Sequence, residues 1–129
     1  MLISVLIVEN ESIIALDLKH KLESMNYIVT MTQSGEEALK IIENNRIDLI
    51  FMATQLLGAL NGIETAGQIR NNFNIPIIYV SANSDLARFE KLKETRPFQY
   101  VIKPFDDSQI RTALNNCLMV IKLNKIQKK

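Results

Sequence analysis

Hydrophobic residues fall along this chain in short unbroken runs, separated by longer stretches in which they recur every three or four positions. The runs read as strands covered on both faces, and the recurring stretches as helices with one buried stripe. Leu2 to Val8 is the first run. Glu11 to Met25 then sets Ile14, Leu18, Leu22 and Met25 on one face and Lys19, His20, Lys21 and Glu23 on the other, which predicts a helix. Tyr27 to Met31, rich in β-branched residues, is a short second strand. Ser34, with Glu37 three residues on, reads as a capping box opening a helix that reaches about Asn44. The third strand lies in Ile47 to Thr54, where Leu49 to Met52 is apolar without alternation.

Gly58 to Gly62 reads as a loop with its turn at Asn61-Gly62, followed by a helix from Ile63 to Asn72. Ile75 to Ser81 is a fourth buried strand, with Pro76 tolerated at its entrance. Asn83 or Ser84 can cap a helix running to Glu94, and Gln99 to Lys103 is a fifth strand ended by Pro104. Asp106 and Gln109 then cap a last helix. Five strands alternating with five helices predict an α/β fold with a mostly or wholly parallel sheet. One domain covers residues 1–123, and residues 124–129 are a helix extension or linker. There are no repeats, low-complexity segments or internal linkers.

The chain has 129 residues, enough for one domain with a real core. A net charge of +1 lacks the basic footprint of a nucleic-acid binder, and the small cluster of Lys122, Lys125, Lys128 and Lys129 suits a helix C-terminus. The single cysteine, Cys117, rules out an internal disulfide framework and suits a reducing compartment. It falls on the apolar face of the last helix with Ile110, Ala113, Leu114 and Ile121, as a buried thiol. The first apolar run is too short to span a bilayer and has no basic start, so it is a strand rather than a signal peptide. A cytoplasmic protein with no membrane contact is expected. Met119, Leu123 and Ile126 form a second stripe off the sheet-facing side of the last helix, the kind of surface that contacts another molecule. His20, between lysines, belongs to a solvated face.

In open parallel sheets, ligands and chemistry gather outside the carboxyl ends of the strands. Four strands here deliver Glu9-Asn10-Glu11, Ala53-Thr54, Ser81-Ala82-Asn83 and Lys103-Pro104 to such an edge. These pieces, with Val5 to Val8, Asp48 to Met52, Asn61 to Glu64, Ile75 to Val80 and Tyr100 to Phe105, resemble the receiver domain of two-component response regulators over nearly the whole chain. The resemblance implies a flavodoxin-like, five-stranded doubly wound sheet of order 2-1-3-4-5. It also implies a phosphoacceptor aspartate ending the third strand, two acids holding magnesium, a lysine on the phosphoryl group, and a Ser/Thr–aromatic switch pair. Glu9, Ser81, Tyr100 and Lys103 match that pattern. Asn10 departs from it, and so does Ala53, which stands where the acceptor belongs. Asn61 replaces a common aspartate in the following loop, and Leu56 to Leu60 lacks the family's frequent proline.

A methyl group offers no oxygen to attack phosphorus, so no aspartyl phosphate and no enzymatic activity are expected. Magnesium favours near-octahedral oxygen coordination, usually with one or two carboxylates; with Glu9 the only acid left, its binding is expected to be lost or very weak, and no cofactor is expected. The expected remnant pocket is Glu9, Asn10, Ala53, Ser81 and Lys103, with Glu9 as counter-ion to Lys103. Ser81 and Tyr100 are the inherited switch residues. Lys91, Arg96, Tyr100, Arg111, Met119 and Leu123 make the expected interaction face. Its partner is a protein: a histidine kinase, a neighbouring output domain, or a second copy meeting it through the helix at 84–94, the fifth strand and the last helix. The leading reading is a pseudo-receiver that signals by phosphorylation-independent protein contacts. A phosphoaccepting receiver with an alanine engineered at 53 is the alternative. A flavodoxin-like nucleotide or flavin module is the third reading, and the missing glycine-rich loop after the first strand counts against it.

Overall fold

Strands form where the apolar runs lie. The computed structural model describes residues 2–82 and 99–127. It contains β1 (Ser4–Val8), β2 (Ile28–Thr32), β3 (Leu49–Ala53), β4 (Ile77–Ala82) and β5 (Gln99–Lys103). All neighbours pair in parallel, in the order β2-β1-β3-β4-β5. Between them run α1 (Ser12–Ser24), α2 (Gly35–Asn44), α3 (Gly62–Asn72) and α4 (Asp107–Gln127). Among the described residues there are therefore four helices. The helix expected over 84–94 lies outside them, with Lys91 and Arg96.

Alternation along the strands divides the core in two. Val5, Ile7, Leu49, Phe51, Ile78, Val80 and Val101 pack against α1 and α4 through Leu18, Leu22, Ile110, Leu114 and Cys117. Leu6, Val8, Ile50, Met52, Ile77 and Tyr79 pack against α2 and α3 through Ala38, Ile42, Ala66 and Ile69. Both faces of β1, β3 and β4 are thus covered, which is why those strands read as unbroken apolar runs. β2 lies at an edge and leaves Ile28 and Met31 exposed.

Local signals fix the helix ends. Ser34 Oγ accepts the Glu37 N–H at 3.2 Å, and Asp106 and Gln109 bond each other's backbone N–H reciprocally, both at 2.9 Å. The turn expected at Asn61-Gly62 is instead a helix start. Asn61 Oδ1 takes the Glu64 N–H at 2.8 Å while Glu64 Oε1 takes the Asn61 N–H at 3.0 Å, a complete capping box. α1 closes differently: Asn26, at φ 72°, lets the Asn26 and Tyr27 N–H groups turn back to the Glu23 and Leu22 carbonyls. No helix of the described residues is long and apolar enough to cross a membrane.

Candidate functional site

Parallel register aligns the carboxyl ends of the central strands. Val8 lies opposite Met52, Ala53 opposite Val80, and Ala82 opposite Lys103. Glu9, Ala53, Ser81 and Lys103 therefore reach one edge of the sheet, as their sequence positions imply.

Glu9 is only 4% exposed although it carries a carboxylate. Its Oε2 accepts the Glu11 backbone N–H at 3.1 Å, and its Oε1 lies 3.1 Å from Lys103 Nζ. The expected pairing of Lys103 with Glu9 is present, and a second carboxylate joins it: Glu11 Oε1 lies 3.0 Å from the same ammonium. The sequence alone assigns Glu11 no role, because the residue that recruits it lies 92 positions away. Burial pushes the Lys103 pKa down, but hydrogen bonds to Glu11 and Glu9 outweigh it and hold the group above the ordinary lysine value. Two carboxylates share one ammonium, so the cluster carries a net charge of −1 rather than the neutrality expected of Glu9 and Lys103 alone.

Ala53 ends β3 fully buried. Its carbonyl fills the space that a side chain on Gly62 would need, so α3 begins hard against the strand end. Asn10 is half-buried beside the cluster and brings only a neutral amide. Among the described residues, no group of three or more His, Cys, Asp or Glu side chains is placed to share a metal ion.

Strand alternation splits the remaining residues to opposite sides. Ala53 and Lys103 follow Phe51 and Val101 by two positions and share the α1–α4 face. Ser81 follows Tyr79 by two, which puts it on the face that α2 and α3 cover. Tyr100 belongs to that second core, its ring stacked on Tyr79 with centroids 6.3 Å apart. Ser81 is 1% exposed, and its Oγ has no hydrogen-bond partner among the described residues. The charged trio and the Ser81–Tyr100 pair thus lie on opposite faces of the sheet.

Of the expected interaction face, Met119 and Leu123 stand exposed on one side of α4 with Ile126. Arg111 is also exposed but borders a separate hollow with Met25 and Tyr27. Tyr100 is half-buried, and Lys91 and Arg96 fall outside the described residues. At the opposite edge of the sheet, Lys125 does more than complement the helix dipole. Its Nζ lies 3.5 Å from Asp48 Oδ2, which also accepts the Ser4 N–H at 2.9 Å. Asn124 and Asn74 exchange two hydrogen bonds beside it.

The strand order, the division of helices between two faces and the charged carboxyl edge define a doubly wound, flavodoxin-like α/β domain. The chain belongs to the response regulator receiver domain family of two-component signalling modules, which it matches over residues 5–115. It is 34% identical over 113 residues to the probable transcriptional regulator ycf27 of Cyanidium caldarium, covering 88% of this chain and 45% of that protein. The response regulator ArlR of Staphylococcus saprophyticus is 33% identical over 116 residues, covering 88% of this chain and 51% of its own length. The chain thus spans about half the length of the curated relatives it matches. Among solved structures, the signal receiver domain of a modulated diguanylate cyclase from Desulfovibrio desulfuricans G20 superposes with a TM-score of 0.88 at 33% identity, covering 96% of this chain and 99% of that one.

Proposed function

We propose that this receiver domain signals through protein contacts without accepting a phosphoryl group. One observation carries the reading: the residue ending β3, at the family's acceptor position, is Ala53, whose side chain holds no oxygen. The lysine that the resemblance assigns to the phosphoryl group is held by Glu9 and Glu11 instead. Output then depends on a protein that prefers one conformation of the domain over another, because only unequal affinity shifts such an equilibrium. The exposed stripe of Met119, Leu123 and Ile126 offers an apolar surface for that contact. A histidine kinase, an adjoining output domain or a second copy of the chain would meet the chemistry of that surface.

Backbone NMR spectra and melting temperature with and without magnesium and beryllofluoride test the proposal. Neither is expected to change in the unsubstituted chain. A saturable response there would overturn the reading. Full recovery in Ala53→Asp alone would favour a phosphoaccepting parent in which alanine had been installed, since Asn10 would then be no obstacle.

A further inference from the structure

We infer that the Lys103 ammonium is a built-in counter-cation occupying the coordination space that a divalent ion would need, and that Lys103, as well as the missing aspartate, keeps the pocket free of metal. The inference rests on the proposed reading of a pocket without phosphoryl chemistry. It deepens that reading by naming the residue that determines which cation the pocket holds.

Both oxygens of Glu9 are already used, Oε2 by the Glu11 N–H and Oε1 by the ammonium at 3.1 Å. Glu11 turns its Oε1 to the same ammonium at 3.0 Å. An ion bridging the two carboxylates would have to enter where Nζ lies. Two cations this close in a partly buried site, where water screens little of their charge, repel strongly, so one must leave. Lys103 cannot leave freely: its side chain is 18% exposed, and departure would strand the nearly inaccessible Glu9 carboxylate without a counter-ion. Magnesium also favours near-octahedral oxygen coordination and gives up its waters reluctantly, and the neighbouring Ala53 and Asn10 provide no further carboxylate. The residues present therefore do not fit a divalent ion while the ammonium is in place.

Removing the ammonium reverses the electrostatics. With a neutral residue at 103 the cluster changes from a net charge of −1 to −2, with Glu9 and Glu11 freed to face one ion. Manganese, which also favours oxygen donors, is the suitable probe because it broadens nearby amide signals.

The test titrates Mn2+ into the full chain, Lys103→Gln, Lys103→Met and Lys103→Arg, following amide broadening in two-dimensional NMR spectra. The unsubstituted chain and Lys103→Arg are expected to show no saturable broadening around Glu9 to Glu11. Both neutral variants are expected to show it, with at least tenfold tighter binding, and adding Glu11→Gln should weaken it. Saturable broadening in the unsubstituted chain would overturn the inference, as would a folded neutral variant that binds no better. One further measurement needs no variant. The Lys103 ammonium protons of the unsubstituted chain should give a resolved, slowly exchanging signal, and fast exchange with solvent would overturn the inference whatever the variants do. A beryllofluoride response of the unsubstituted chain would instead overturn the proposed function, whereas Mn2+ binding by the unsubstituted chain without that response would overturn the metal inference alone.

Discussion

Cys117 sits on the sheet-facing side of α4, fully buried, and burial pushes its thiol up to about 11 from 9.0. The folded chain therefore keeps the thiol protonated where the unfolded chain ionises it, and stability falls as pH rises from 9 to 11. Burial raises the Tyr27 pKa as well, and Lys103 loses its charge above the ordinary lysine range, so all three act in the same direction. The urea midpoint should hold steady near neutral pH and then fall through that window. In Cys117→Ala the fall should be shallower, and equal slopes in the two proteins would refute the assignment to this thiol. Its burial was legible in the sequence because helical spacing set it among Ile110, Leu114 and Ile121. That Ser81 Oγ finds no hydrogen-bond partner among the described residues was not, since hydrogen bonding depends on geometry that spacing does not carry.

Two glycines in α3 show how one helix can respond in opposite directions to the same change. At Gly62 a methyl group would collide with the Ala53 carbonyl, whereas a Cβ on Gly67 would meet nothing within 4 Å. Gly62→Ala should cost about 3 kcal/mol by overpacking at a point where backbone meets backbone. Gly67→Ala should instead stabilise by about 1 kcal/mol, because alanine loses less backbone entropy in a helix. Urea denaturation of the two variants checks both signs, and a similar effect from both would remove the close approach as the cause. Most elements were readable from apolar period and caps, with boundaries off by a residue or two. Asn61-Gly62 misled because the same dipeptide serves turns and helix starts, and Glu64 three residues later was the deciding signal. Asn26 gave less warning: a left-handed cap on asparagine looks, in sequence, like any polar residue between elements.

For the molecule as a whole, the parallel sheet was legible from the alternation of strand and helix signals, and its order came from the resemblance rather than from the residues alone. The separation of the charged trio from Ser81 and Tyr100 follows from the two-residue period of the strands only once the register between them is fixed. At the other edge, Asp48, Lys125 and the Asn74–Asn124 pair tie the late turns of α4 to the sheet, which keeps Met119, Leu123 and Ile126 turned outward. Those polar ties could not be read from the sequence, since each joins residues at least 50 positions apart.

Glu11 and Lys103 are 92 positions apart, so their contact closes only when almost the entire sheet stands. Bringing such distant segments together carries a loop-closure cost before the contact gives anything back, which places the contact late on the route to the native state. It should consequently govern how slowly the domain comes apart far more than how fast it assembles. In stopped-flow kinetics, Lys103→Met should steepen nothing and shift mainly the unfolding limb upward, and an equal slowing of refolding would show that the contact forms early. A cluster that looks like the remains of lost chemistry would then serve as the domain's kinetic lock, setting the lifetime of the folded state.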